Sequence, residues 1–238
     1  MSPTAKIIAQ TCTLCGIRPA TTSEHIPPES FFEPPYPANL ITVPACAECN
    51  NGSERDDEYV RTFLAALDTP NGTPTLERIR ERVNKRLGRP EYPGLRRRLI
   101  NASELSTFDN PLTGVAELRA GTRPESDRLQ RTFSKQARGL MFHLTGQTIP
   151  RSRFIMLERV HNMQTRPPEF WEMWVGASQY ALGGITGSVG DVFRYAYRDV
   201  KRSACEAVVR LEFYGIFPYV ALIFKKDFSP TQRVAFPF

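Results

Sequence analysis

The sequence lacks any long hydrophobic run. Its longest apolar stretch lies around residues 219–224, whereas about 18 consecutive apolar residues are needed to cross a bilayer. The N-terminal residues, MSPTAKIIAQ, do not contain the apolar segment of a secretory signal peptide. The sequence also has no internal repeat and no low-complexity tract. These absences predict a soluble, cytoplasmic protein whose cysteines are reduced.

The chain does carry enough apolar residues for a hydrophobic core. Of its 238 residues, 41% are hydrophobic, which suits one large domain or two smaller ones. The net charge of +6 is unevenly spread, because residues 1–60 carry 3 Lys and Arg against 8 acids and residues 61–238 carry 28 against 17. Since Lys and Arg neutralise phosphates, the basic part of the chain predicts a nucleic-acid partner.

Four of the five cysteines form two Cys-x-x-Cys pairs. These are Cys12 with Cys15 and Cys46 with Cys49. Two such pairs supply four thiolates, which is a ligand set of tetrahedral structural zinc. The alternative is a chance set of free thiols, but such regular pairing in a cysteine-poor chain favours a zinc site. Residues 16–45 separate the pairs by more than the roughly 15 to 20 residues of a simple two-knuckle site.

An ordered set of polar residues accounts for this longer gap. The sequence reads EHIPPES, then NLITVPAC, and then CAECNN. Over about residues 10–66 it resembles the HNH endonucleases, the ββα-metal nucleases with a treble-clef zinc module. In that family Asp/Glu-His-Ile-x-Pro is followed by Asn-Leu and then by Cys-x-x-Cys-His/Asn. The chain matches the HNN variant, because Asn50 stands at the position of the final histidine.

The resemblance implies a role for each matching residue. His25 is expected to be the general base that activates water, and Glu24 to be a ligand of the catalytic divalent metal. Asn39 is expected to brace the loop that carries the base. Asn50 is expected to be the second metal ligand at the start of a helix, although the adjacent Asn51 leaves open which amide faces the metal.

These residue types suit phosphodiester hydrolysis. A neutral imidazole can accept a proton from water near neutral pH. A divalent cation such as Mg²⁺ or Mn²⁺, bound by a carboxylate and an amide oxygen, can bind the scissile phosphate and neutralise charge on the leaving oxygen. The resemblance therefore implies one structural zinc ion and one catalytic metal.

Two other functions stay open. His25 could be an ordinary histidine in a zinc module that only binds nucleic acid or acts as an adaptor, because one fold can host many functions. The same chemistry could also act on RNA instead of DNA.

The elements around the motif follow from proline content and hydrophobic spacing. The first cysteine pair and residues 16–25 are predicted to form a zinc knuckle and a short hairpin strand that reaches His25. Residues 40–43 are predicted to be the second strand, and the prolines between the two strands predict an extended loop. A helix is predicted after the second cysteine pair, where apolar residues recur at helical spacing. Its first turns hold the acids Glu54, Asp56, Asp57 and Glu58. We interpret these acids as favoured by the helix dipole, and metal binding is the alternative.

Two further helices are predicted in the middle of the chain. One begins with Thr73 as N-cap and ends at Gly88, and the other covers residues 124–144. The first carries a basic face, which is either solvated or in contact with nucleic acid. The predicted nucleic-acid contacts are Arg78, Arg82, Lys85, Arg86, Arg96, Arg97 and Arg98.

The C-terminal part is rich in aromatic and β-branched residues. Four segments after residue 150 predict antiparallel strands, whereas residues 167–190 are ambiguous between helix and strand. Phe193, Tyr195 and Tyr197 alternate with arginines. We interpret these aromatics as the core face of a sheet, with base stacking as the alternative. The fifth cysteine, Cys205, is predicted to be a small buried hydrophobe.

Together these features predict an α+β protein in three parts. Residues 1–68 are expected to form the HNH-like zinc module, residues 69–149 a basic helical region, and residues 150–238 an antiparallel β-rich domain of unknown role. The predicted function is metal-dependent cleavage of phosphodiester bonds in double-stranded DNA, away from any membrane. The target sequence and the formation of a homodimer stay open.

Overall fold

The described residues of the computed structural model combine helices with antiparallel sheets. They are residues 11–67, 72–89, 94, 97, 103–109, 116–122, 125–159, 184–200 and 205–225. A five-stranded antiparallel sheet lies in the C-terminal part, and this confirms the predicted mixture of helix and C-terminal sheet. Among the helices that these residues form, none is long and apolar enough to cross a bilayer.

A hairpin and two helices form the N-terminal part. Strand β1 (Thr22–Ile26) pairs antiparallel with β2 (Ile41–Ala45), in a register that sets Glu24 opposite Val43 and His25 opposite Thr42. A short helix α1 (Ala47–Asn51) and a longer helix α2 (Glu54–Ala66) follow. The predicted strands and the helix after the second cysteine pair are therefore confirmed.

Helix α3 (Pro74–Leu87) begins and ends where its sequence signals predict. The Thr73 hydroxyl accepts a hydrogen bond from the backbone N–H of Leu76, and Gly88 follows the last turn. The side chain of Asp191 also binds the first turn, accepting bonds from the backbone N–H and the hydroxyl of Thr75 at 3.1 and 2.8 Å. This contact ties α3 to the C-terminal sheet.

Strands β3 (Ser103–Asp109) and β4 (Ala116–Thr122) pair antiparallel with each other. The sequence indicates loop and short strand for residues 101–122, and the structure has two seven-residue strands there. Large apolar residues are few in both segments, so the alternation of apolar and polar residues that identifies a strand is weak.

Helix α4 (Ser126–Thr145) packs against the β1–β2 hairpin and against the C-terminal sheet. It ends at Gly146, which adopts a left-handed conformation (φ 72°). Its bounds agree with the predicted residues 124–144. Phe133 lies on its buried face, with its ring centroid 5.0 Å from that of Phe213 and 4.6 Å from that of Tyr219. This helix is therefore the link between the N-terminal hairpin and the C-terminal sheet.

The C-terminal sheet has the strand order β5-β9-β8-β7-β6, with neighbouring strands antiparallel. Its strands are β5 (Ile155–Arg159), β6 (Gly187–Val189), β7 (Phe193–Asp199), β8 (Cys205–Phe213) and β9 (Phe217–Phe224). Phe193 and Tyr195 are buried, so the core interpretation of these aromatics is confirmed. The ambiguous segment includes β6, and its residues 167–183 lie outside the described residues.

One hydrophobic core includes side chains from all three predicted parts. Ile26 and Phe31 come from the first, Leu76 and Phe133 from the second, and Phe213 from the third. The division at residues 68 and 149 stays a prediction. The shared core nevertheless means that the N-terminal hairpin is held in place by the rest of the chain.

Candidate metal centre and adjoining cavity

The four paired cysteines come together at one point. Their sulfur atoms all lie within 4.8 Å of one another, and only Cys49 is partly exposed. Zinc bound tetrahedrally to four thiolates at about 2.3 Å requires sulfur–sulfur distances of about 3.8 Å, so the cluster fits this ion. The predicted metal centre is therefore present as a set of four ligands that could hold zinc.

Backbone hydrogen bonds shape the two cysteine turns. The N–H of Cys12 donates to Arg18 and that of Gly16 donates to Cys12, at 2.7 and 2.8 Å. The N–H of Thr13 donates to Pro44 at 2.9 Å, which holds the first turn beside the second. Gly16 has a φ of 68°, a left-handed conformation that favours glycine.

The thiols of the cluster differ in acidity. Burial opposes ionisation of Cys46, but hydrogen bonds from the backbone N–H and the thiol of Cys49 lower the pKa of Cys46 to about 7. Burial raises the pKa of Cys12 and of Cys49. Since a metal ion binds thiolates, the lowered pKa of Cys46 favours metal binding.

A cavity of about 500 Å³ lies between β1 and α2, and its lining includes Asn50, which directly follows Cys49 in the chain. We call it the acidic cavity, because its lining includes five carboxylates. These are Glu24, Glu29, Glu54, Asp57 and Glu58. His25 and Asn50 also line it. Three of the four residues with predicted catalytic roles therefore meet at one cavity, although they are separated by up to 26 positions in the chain.

Asn50 is the amide that faces this cavity. Its side-chain N–H donates to the backbone carbonyl of Ser23 at 3.0 Å and to the hydroxyl of Thr22 at 3.2 Å. These bonds use the nitrogen of the amide and leave its oxygen for another partner. Asn51 is exposed and outside the cavity lining, so the structure favours Asn50 over its neighbour.

Asn39 lies outside the cavity lining. Its side-chain N–H donates to the backbone carbonyl of Ser188 in β6 at 2.9 Å. Asn39 therefore fastens the end of the loop between β1 and β2 to the C-terminal sheet. Its predicted role in bracing the loop next to His25 stays a prediction.

Lys135 of α4 forms a buried ion pair with the carboxylate of Glu24 and is not itself part of the cavity lining. Its ammonium group lies 3.1 Å from Glu24 Oε1, 2.6 Å from Asp57 Oδ2 and 2.8 Å from the hydroxyl of Ser53. Burial raises the pKa of Glu24, and the charge of Lys135 opposes that shift. Sequence reasoning missed Lys135, because it lies 111 residues from Glu24 and belongs to no local motif.

A second cavity, of about 460 Å³, lies on the other side of Lys135. Its lining includes four basic residues, which are Arg131, Lys135, Arg138 and Arg151, together with Cys49. The guanidinium of Arg138 donates to the backbone carbonyls of Ile149 and Pro150, so it fixes the chain after α4. Burial lowers its pKa to about 10.

The predicted nucleic-acid contacts lie partly beside the acidic cavity. Arg86 of α3 donates to Glu58 of the cavity lining at 3.0 Å, and Arg82 forms an ion pair with the buried Glu33. Arg78 and Lys85 are exposed on the same helix. Arg97 is exposed too, whereas Arg96 and Arg98 lie outside the described residues.

Within the described part of the chain, the four cysteines form the only group of three or more Cys, His, Asp or Glu ligand atoms close enough to hold a metal ion. A cation in the acidic cavity would therefore use at most two such side chains, with amide, water and phosphate oxygens as its other ligands. No family model, curated protein or solved structure matches the chain. The function is consequently argued from the residues themselves.

Proposed function

We propose that the protein is a metal-dependent endonuclease of the HNH type that hydrolyses phosphodiester bonds in DNA. The observation that carries this proposal is the meeting of Glu24, His25 and Asn50 at one cavity beside four clustered cysteines. The order hairpin, cysteine turn and helix also agrees with a ββα-metal module built on a treble-clef zinc site.

The cavity residues have complementary roles in this proposal. His25 accepts a proton from the attacking water. Glu24 and the side-chain oxygen of Asn50 bind Mg²⁺ or Mn²⁺, which supplies charge neutralisation at the phosphate and at the leaving oxygen. Ser23 and Thr22 orient Asn50 by accepting hydrogen bonds from its amide nitrogen. The zinc ion bound by the cysteines holds β1 beside α1 and takes no part in the chemistry.

DNA approaches this cavity along the basic face of α3. Arg86 already contacts a residue of the cavity lining, and the exposed Arg78 and Lys85 extend the positive surface away from it. An acidic cavity repels phosphate unless a cation is bound, so basic residues at its edge are needed to attract a polyanion. Competition between labelled DNA and RNA would identify the preferred substrate.

The experiment that tests this function is conversion of supercoiled plasmid to nicked or linear form by the zinc-loaded protein. Cleavage is expected with Mg²⁺ or Mn²⁺ and not with EDTA. Glu24→Gln should lose roughly tenfold or more of the rate, because the variant replaces a carboxylate ligand with a weaker amide. Equal rates for the wild type and this variant would contradict the proposed metal site.

A second candidate is a zinc-dependent nucleic-acid-binding or adaptor protein without catalysis. The ion pair between Glu24 and Lys135 favours it, because this lysine already neutralises the carboxylate that the metal needs. A protein that shifts DNA in a gel, holds one zinc ion and leaves plasmid intact with every divalent metal would support this second function.

A further inference from the structure

A buried ionic cluster includes two carboxylates that line the acidic cavity. It consists of Glu24, Asp57 and Lys135, whose exposed fractions are 5%, 5% and 8%. Two carboxylates share one ammonium group in this cluster, with distances of 3.1 and 2.6 Å. Buried charges are costly unless they are balanced, and one lysine does not balance two carboxylates when both are ionised.

The two oxygens of Asp57 have very different surroundings. Oδ2 accepts hydrogen bonds from Lys135 and from the hydroxyl of Ser53, at 2.6 and 2.9 Å. Oδ1 is buried and has no hydrogen-bond partner, and Asp57 lines the acidic cavity. A buried acceptor without a partner is unfavourable, and more so when it is charged. The unused oxygen can therefore accept a ligand that brings positive charge or a hydrogen bond.

The position of Asp57 in a helix does not account for this arrangement. The dipole of α2 favours acids in its first turn, and Asp56 is also there. However, Asp56 lies on another side of the helix, where Arg128 and Arg131 bind it at 3.0 and 2.6 Å. A favourable helix dipole requires neither the burial of Asp57 nor its contact with a lysine of α4.

We propose that Asp57 is a ligand of the divalent cation in the acidic cavity, acting with Glu24, and that Lys135 is the positioning residue that holds both carboxylates. This inference deepens the proposed function, because it adds a ligand to the same metal site. Mg²⁺ and Mn²⁺ prefer carboxylate oxygens, and Asp57, which lines the cavity, carries one without a partner. Asp57 converts a site with one carboxylate into a site with two.

Lys135 also sets the affinity for the cation. Its ammonium group lies next to both proposed carboxylate ligands, so it repels a divalent cation that binds there. The lysine keeps the two carboxylates together when no metal is bound, and it weakens metal binding as a consequence. Removing its charge should therefore strengthen the binding of a divalent cation.

The test is the affinity of the zinc-loaded protein for Mn²⁺, measured by electron paramagnetic resonance of the free ion. Asp57→Asn should weaken Mn²⁺ binding by about tenfold or more, because it removes a carboxylate ligand. Lys135→Met should strengthen Mn²⁺ binding by about tenfold or more, because it removes the repelling charge. The matched control is Asp56→Asn, which changes the adjacent acid and should leave Mn²⁺ affinity unchanged.

The outcomes separate this inference from the nuclease proposal. Unchanged Mn²⁺ affinity in Asp57→Asn overturns the inference, even if the wild type cleaves plasmid, and so does a wild type that binds no Mn²⁺. Mn²⁺ binding that depends on Asp57 in a protein that leaves plasmid intact supports the inference and overturns the nuclease. If Asp57→Asn fails to retain zinc, Lys135→Met decides: tighter binding supports the inference and unchanged binding overturns it.

Discussion

Glu24 and His25 are neighbours in β1 with different surroundings. The carboxylate of Glu24 is buried against Lys135, whereas His25 is half-buried and lines the cavity. A metal ligand benefits from a fixed, enclosed position, and a general base needs access to water. The alternation of side chains along a strand provides both environments within two residues.

The cysteines also differ from one another at the residue scale. Four belong to the cluster, whereas Cys205 lies buried in β8, where burial raises its pKa to about 12. Since the thiolate is the reactive form, we expect a thiol reagent to modify the cluster after zinc removal and Cys205 only after unfolding.

A colorimetric thiol titration checks this expectation. The native zinc-loaded protein should show almost no reactive thiol, the chelator-treated protein four, and the denatured protein all five. Rapid reaction of four thiols before any chelator is added would contradict the zinc site.

The residues of the site that could be predicted from the sequence are those that belong to one short stretch of the chain. Glu24, His25 and Asn50 follow from a motif whose residues are close in sequence, and the cavity does contain them. Lys135 and the buried position of Asp57 depend on how α4 packs against β1 and α2. No short-range pattern encodes that packing, so sequence reasoning preferred a role at the helix terminus for Asp57 and kept metal binding as the alternative.

At the scale of elements, Gly139 decides how closely α4 approaches β1. A β-carbon at this position would lie 2.4 Å from Cδ1 and 2.5 Å from Cγ1 of Ile26, both closer than side chains tolerate. Ile26 is fully buried and β-branched, so it has little room to move. The glycine thus permits the close approach that brings Lys135 to Glu24.

We therefore expect Gly139→Ala to lower the free energy of unfolding by about 1 to 3 kcal/mol. Alanine is the better helix former by about 1 kcal/mol, so helix propensity alone predicts the opposite sign. Urea denaturation measures the difference, with His143→Ala on the exposed part of the same helix as control. Equal or greater stability of Gly139→Ala would show that α4 does not depend on this contact.

The elements themselves were largely predictable, because hydrophobic periodicity encodes a buried face. The bounds of α3 and α4 follow from caps and apolar spacing, and the aromatic segments gave strands of the C-terminal sheet. The β3–β4 ribbon was expected only as loop and short strand, since its two segments hold few large apolar residues. Contacts between distant elements, such as Asp191 with α3, were missed for lack of any local signature.

At the scale of the whole molecule, acidic residues predominate in residues 1–60 and basic residues in residues 61–238, and this distribution gives a test of DNA binding. Arg78 and Lys85 are exposed on α3, on the proposed path of DNA. The logarithm of the association constant falls as the logarithm of the salt concentration rises. If Arg78 and Lys85 each contact a phosphate, each single substitution to alanine should make this negative slope shallower by about 0.9. Arg198→Ala, which changes an exposed arginine of β7, is the control and should keep the slope.

Fluorescence anisotropy of a labelled duplex over a range of salt concentrations measures these slopes. An unchanged slope in both α3 variants would place the DNA path elsewhere on the protein. Because one core joins the hairpin, α3 and the C-terminal sheet, a changed slope would also indicate how the whole chain is oriented on its substrate.

The most direct test of the account is the rate of plasmid cleavage by His25→Ala at matched zinc content. His143→Ala is the control, since this exposed histidine of α4 lies outside the cavity lining. Loss of a general base typically costs roughly 10²- to 10⁴-fold in rate, so His25→Ala should fall by that factor while His143→Ala cleaves like the wild type. Equal cleavage by His25→Ala and the wild type would contradict the assignment of His25 as the base.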